Sequence, residues 1–111
     1  CIFCKIINGK IPSNKVYEDD DVLAFKDINP QMPVHIIVIP KKHIKSIADL
    51  TIEDETLIGK IFTAINKIAK DLNISEDGFR VISNCGENAG QTVQHLHFHI
   101  LGGEKMSEKI I

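Results

Sequence analysis

From Gln94 to Gly103 the chain reads Gln-His-Leu-His-Phe-His-Ile-Leu-Gly-Gly, with three of the protein's five histidines on every second residue. Side chains at i, i+2 and i+4 of a strand share a face, so this alternation predicts an amphipathic strand. His95, His97 and His99 occupy one face, and Leu96, Phe98 and Ile100 the other. At a rise of about 3.3 Å per residue, neighbouring imidazoles leave the backbone roughly 7 Å apart and the outer pair roughly 13 Å apart. One centre can engage two of these rings, but hardly all three. Three readings stay open at this point: a solvated polar face, a metal site built on a His-x-His pair, and a catalytic cluster of titratable groups.

The elements around this strand predict an α+β fold. Phe3–Gly9 reads as a short helical turn ended by Asn8-Gly9. Lys15–Glu18 and Val22–Asp27 read as strands joined by an acidic turn at 19–21, and the prolines at 30 and 33 stiffen the loop that follows. Val34–Ile39, nearly continuous in β-branched residues and stopped by Pro40, is the clearest central strand. Thr51 offers a helix cap, and Leu57, Ile58, Ile61, Phe62, Ile65, Ile68, Ala69 and Leu72 recur at three- and four-residue steps, predicting one long helix packed on a sheet. Gly78–Asn84 and Val93–Leu101 complete the strands. Strands, one long helix and then more strands lack the alternation of doubly wound folds, so the sheet is expected to be antiparallel.

The 111 residues fit a single domain, 1–111, and a net charge of -2 gives no basic footprint for nucleic acid. No apolar run reaches the roughly 18–20 residues that a membrane span needs, and no signal segment is visible, so a soluble cytoplasmic protein is expected. Three cysteines make a poor disulfide framework. Cys1-Ile2-Phe3-Cys4 instead has the spacing of half a zinc site, with His43 and His95 as candidates for the remainder; the alternative is a pair of small buried residues. In the segment Asn84–Thr92, glycines let backbone amides approach an anion, and Gln91 and Thr92 add donors, although such loops are often plain connections.

His95-Leu96-His97-Phe98-His99-Ile100-Leu101 resembles the His-x-His-x-His pattern of the histidine triad (HIT) superfamily. Phe3-Cys4-Lys5-Ile6-Ile7, Leu23–Ile28, Pro33-Val34-His35, Val38–Ile44 and Gly90–Val93 resemble blocks of its Hint branch, the purine nucleoside phosphoramidases. The resemblance implies a five-stranded antiparallel sheet with one long and one short N-terminal helix, and a homodimer with a ten-stranded sheet. It implies hydrolysis of nucleoside 5′-phosphoramidates through a nucleotidyl-His97 intermediate. His99 would hold the phosphoryl charge, and His35 would manage protons and orientation. Asp27 would take the ribose hydroxyls, and Ile28, Phe3 and Ile6 would form the purine slot. Asn84, Gly90, Gln91 and Thr92 would serve the phosphate and leaving group. A structural zinc on Cys1, Cys4, His43 and His95 is also implied, with no catalytic cofactor. From the residues alone, Phe3 and Ile6 read equally as core, and Asp27 as a turn former. Hint-type enzymes that have a tryptophan near the carboxyl end use it on the leaving group; this chain has no tryptophan, which leaves its leaving-group preference open. Hydrolysis of dinucleotide polyphosphates, nucleotide-dependent regulation and a zinc-dependent hydrolase are the competing functions.

Overall fold

The computed structural model describes residues 1–110. Five strands form one sheet: β1 (Lys15–Glu18), β2 (Val22–Lys26), β3 (Val34–Pro40), β4 (Phe79–Ile82) and β5 (Phe98–Gly102). Their spatial order is β1-β2-β3-β5-β4, and every neighbouring pair runs antiparallel. Two helices accompany it, α1 (Ile2–Ile7) and α2 (Glu55–Asp71). No helix among the described residues is long and apolar enough to cross a membrane.

The two faces of the sheet follow from alternation along β2 and β3. Val22, Ala24, Ile36 and Val38 point to one side, where they meet Ile61, Ala64, Ile65 and Ile68 of α2. Each isoleucine buried there contributes about 1.5–3 kcal/mol relative to exposure. Leu23, Phe25, Ile37 and Ile39 point to the other side and pack with Phe3 and Ile6 of α1. This second cluster is smaller, and it forms the floor of the candidate site.

Several boundaries differ from the expectations. The helix is preceded by a 3-10 turn at Ile52–Asp54, where Thr51 and Asp54 form a capping box, so α2 itself starts at Glu55. β2 stops at Lys26, β3 runs one residue further, to Pro40, and β4 is confined to Phe79–Ile82. The largest correction concerns the last strand, which begins at Phe98 and not at Val93. The Leu96 amide donates to Ile44 O at 2.7 Å, outside the ladder, and the His95 ring is fully buried. His95 and His97 therefore precede the strand, and only His99 belongs to it.

The Gly102-Gly103 pair closes this end of the fold. A Cβ on Gly103, whose φ is +97°, would lie 2.9 Å from Pro33 Cβ, and one on Gly102 would lie 3.0 Å from Ile74 Cδ1. Gly103 lets the end of β5 pass against the entry to β3, the strand that carries His35, and Gly102 makes room for Ile74.

Candidate active site and metal centre

The irregular path from Val93 to His97 sorts the three histidines. His95 turns into the protein, where its Nε2 donates to Pro40 O at 2.8 Å. The lone pair of a neutral ring then sits on Nδ1, which lies 3.4 Å from Cys1 Sγ, 3.6 Å from Cys4 Sγ and 3.1 Å from His43 Nδ1. His43 Nδ1 is itself 3.3 Å from Cys4 Sγ. These four side chains lie close enough to hold one metal ion. The thiol of Cys1 also accepts the Cys4 amide at 3.3 Å, so the first turn of α1 is wrapped around the prospective ligand.

His97, which is 7% exposed, faces the α1 side of the sheet, with its ring 5.2 Å from that of Phe3 and 5.2 Å from that of His99. Its Nδ1 donates to the backbone O of His95 at 2.7 Å, which leaves Nε2 with the lone pair. Ser83 Oγ donates to His97 O at 2.7 Å and fixes the peptide behind the ring. In the β3–β5 register His99 stands opposite Ile37 and His35 opposite Leu101, so the two imidazoles meet on one face. His35 Nε2 lies 2.9 Å from His99 Nδ1 and 3.4 Å from Asp27 Oδ2, and His35 Nδ1 accepts the Gln31 amide at 3.0 Å. Burial pushes the His99 pKa down, His97 and His35 push it the same way, and Asp27 opposes them.

Beside this cluster opens an apolar pocket of about 400 Å³ whose lining includes Phe3, Ile6, Phe25, Ile37, Asp27 and Ile28. Phe3, Ile6, Asp27 and Ile28 thus line one pocket, together with Phe25 and Ile37. Alternation along β2 and β3 is the signal that marks these two, since both face α1. Phe3 joins the pocket to the ring of His97. On the other flank, Gly90, Gln91 and Thr92 border a depression of about 760 Å³ that also includes Lys45, Ser46 and Cys85. Gly90 has the left-handed conformation, φ +78°, which ends the 3-10 turn Glu87–Ala89. Thr92 is exposed, and Asn84 Nδ2 donates to Ala89 O at 2.8 Å. Gln91 is committed to holding this loop: its Oε1 accepts the Gly86 amide, and its Nε2 donates to Lys45 O and Val93 O.

The family model described as the C-terminal binding domain of scavenger mRNA decapping enzyme matches residues 1–110. A histidine triad protein from Clostridium difficile is 55% identical and superposes with a TM-score of 0.95, over 98% of this chain and 95% of that one. The chain belongs to the histidine triad superfamily. A HIT family hydrolase from Clostridium thermocellum, 50% identical, covers the whole of this chain and 96% of its own with a TM-score of 0.98. Among curated relatives, the purine nucleoside phosphoramidase of Escherichia coli K12 is 47% identical over 105 residues, spanning 95% of this chain and 88% of that protein.

Within this HIT fold the triad is divided by direction. His95 belongs to the cysteine cluster, while His97 and His99 face Phe3, His35 and the pocket. Cys85, the third thiol, has its pKa lowered by the Ser46 hydroxyl and by the amides of Ala48 and Ile47. Nothing in the geometry ties it to the histidines.

Proposed function

We propose that this chain is a purine nucleotide-binding hydrolase that cleaves the P–N bond of nucleoside 5′-phosphoramidates through a nucleotidyl-His97 intermediate. The observation that carries this reading is the tautomer of His97: Nδ1 is committed to the His95 carbonyl at 2.7 Å, so Nε2 is a neutral nucleophile beside an apolar pocket. The name of the Escherichia coli relative, a purine nucleoside phosphoramidase at 47% identity, supports the same chemistry.

In this reading the purine lies against Phe3, Ile6 and Ile28, and Asp27 accepts the ribose hydroxyls. His97 Nε2 attacks the α-phosphorus, a P–Nε2 bond forms, and the P–N bond to the amine breaks. The amine leaves with a proton supplied through the His35–His99 pair, with Thr92 on the leaving-group side. His99 and the backbone amides around Gly90 stabilise the negative charge on the phosphoryl oxygens. Asn84 and Gln91 shape the loop that presents those amides. Water then attacks phosphorus and gives up a proton that replaces the one the His35–His99 pair passed to the amine, the P–Nε2 bond breaks, and the nucleoside monophosphate is released with His97 restored.

We also assign zinc to Cys1, Cys4, His43 and His95. Bond lengths of about 2.3 Å to sulfur and about 2.05 Å to nitrogen give tetrahedron edges of roughly 3.3–3.8 Å. Three of the four distances found, 3.3 to 3.6 Å, fall in that range, and the His43 Nδ1–His95 Nδ1 distance, 3.1 Å, is slightly below it. Bound there, zinc cross-links α1 to residues 43 and 95, and four protein ligands leave no position open for water.

Intact-protein mass spectrometry after mixing with an adenosine 5′-phosphoramidate tests the covalent step. A nucleotidyl adduct is expected on the wild type and not on His97→Ala, with zinc content unchanged. Turnover without an adduct, or loss of zinc in His97→Ala, refutes the mechanism. Faster turnover of a diadenosine polyphosphate than of the phosphoramidate refutes the substrate class.

A further inference from the structure

Among the described residues, two histidine clusters are compact enough to hold a metal ion: Cys1, Cys4, His43 and His95, and, separately, Asp27, His35 and His99. Two imidazoles and a carboxylate are a common ligand set for divalent transition metals, so compactness alone does not tell the clusters apart. What differs is the backbone group behind each ring. We infer that the backbone N–H of Gln31 fixes the proton positions of His35 and His99, making His99 a hydrogen-bond donor towards substrate and closing this cluster to metal.

The chain of inference starts at the loop between β2 and β3. The Gln31 amide donates to His35 Nδ1 at 3.0 Å, so that nitrogen carries the lone pair and the proton of the neutral ring is on Nε2. That proton points at His99 Nδ1, 2.9 Å away, with Asp27 Oδ2 at 3.4 Å as a flanking acceptor. His99 Nδ1 must therefore accept, and its own proton is held on Nε2, the nitrogen turned away from His35. One backbone amide thus determines, through two rings, which atom of His99 can donate. For His35 to bind a metal through Nε2, its proton would have to move to Nδ1 and confront the Gln31 N–H. His95 is the opposite case: a backbone carbonyl, Pro40 O, takes its Nε2 proton and leaves Nδ1 open towards the thiols.

The loop is built to hold that amide in place. Asp27 N donates to His35 O at 3.0 Å, Asp27 Oδ1 accepts the Asn29 amide at 2.7 Å, and Gln31 Nε2 donates to Asn29 O at 3.1 Å. Pro30 and Pro33 stiffen the same turn. Gln31 is exposed, and its contribution comes from its main chain, which makes it a positioning residue.

Long-range 15N NMR of the zinc-loaded, histidine-labelled full chain reads the proton positions directly. His35 and His99 are both expected with the proton on Nε2 in the wild type and in Gln31→Ala, which keeps the N–H. Gln31→Pro removes it, and both rings should then show mixed tautomers. This variant should also lose about tenfold or more in kcat on an adenosine 5′-phosphoramidate, with KM within about twofold. A wild-type His35 with its proton on Nδ1 overturns the inference whether or not the proline variant folds. So does a Gln31→Pro spectrum identical to the wild type, or a second equivalent of zinc that shifts the His99 signals of the wild type. The kcat arm rests on the phosphoramidase reading; absence of wild-type turnover defeats that reading alone, because the tautomer spectra need no substrate.

Discussion

Burial acts on His99 through the loss of hydration of its charged form, and the neighbouring His97 and His35 rings add to the effect. The ring therefore stays neutral below the ordinary imidazole value of about 6.5. The sign for stability follows. Between the lowered folded value and about pH 6.5 the unfolded chain binds more protons than the folded one, so stability rises with pH across that window. It is fully present above it and falls as the solution is acidified through it. An NMR titration of the ring protons should give a His99 midpoint below 6.5, and thermal melts should show a wild-type Tm that drops from pH 7 towards pH 5. A smaller drop in His99→Gln would assign that part of the slope to this residue; an equal drop would remove it. Asp54 acts in the same direction at lower pH. The Lys42 ammonium and then the Thr51 amide hold its carboxyl below the usual value, so its contribution is complete above about pH 4 and lost in stronger acid.

α1 has only six helical residues, too short to persist as an isolated helix in water, and yet with its cap, Cys1, it supplies Phe3 and Ile6 to the pocket and Cys1 and Cys4 to the candidate metal cluster. Removing the zinc proposed for this cluster, by chelation or by Cys4→Ala, should loosen α1 more than α2. The expected result is faster hydrogen exchange at residues 4–8, weaker binding of a purine mononucleotide and little change in the exchange of residues 61–69. The Gly103→Ala variant tests the other end of the site: a side chain at φ +97° against Pro33 should cost about 1–3 kcal/mol, measured by denaturant unfolding. At this scale much of the molecule was legible in the sequence. The β-branched run of β3 and the apolar stripe of α2 marked both elements because each buries its own local pattern. The alternation at 95–99 was misleading as a strand, since His95 leaves the ladder for a cluster contributed by α1 and His43. Gln31 was invisible for a different reason. It acts through a backbone N–H, which every residue except proline possesses.

The whole molecule leaves part of one sheet face and one strand edge unmatched. α2 packs mainly over β3, β2 and β1, while Phe79 and Val81 of β4 remain half-buried and Phe62, 46% exposed, meets Phe98 of β5 edge-on at 5.5 Å. The two outer strands are unequal as edges. β1 carries a register irregularity between Lys15 and Tyr17 and has charged residues at both ends, devices that discourage further pairing. β4, Phe79-Arg80-Val81-Ile82, is regular along its pairing with β5 and pairs with no second strand among the described residues. A second copy meeting β4 edge to edge would continue the sheet to ten strands, the number that the resemblance to the Hint branch implies, and its helix would then meet Phe62 beside the joint. For a chain of 12.4 kDa, sedimentation equilibrium should then return about twice that mass. Phe62→Lys should shift the species towards the monomer, since a charge placed in an apolar contact between two copies has no partner there. Its helix content should be unchanged, because Phe62 is not part of the buried seam of Ile61, Ile65 and Ile68. A wild type that sediments as a monomer at every concentration would mean that β4 is covered in some other way.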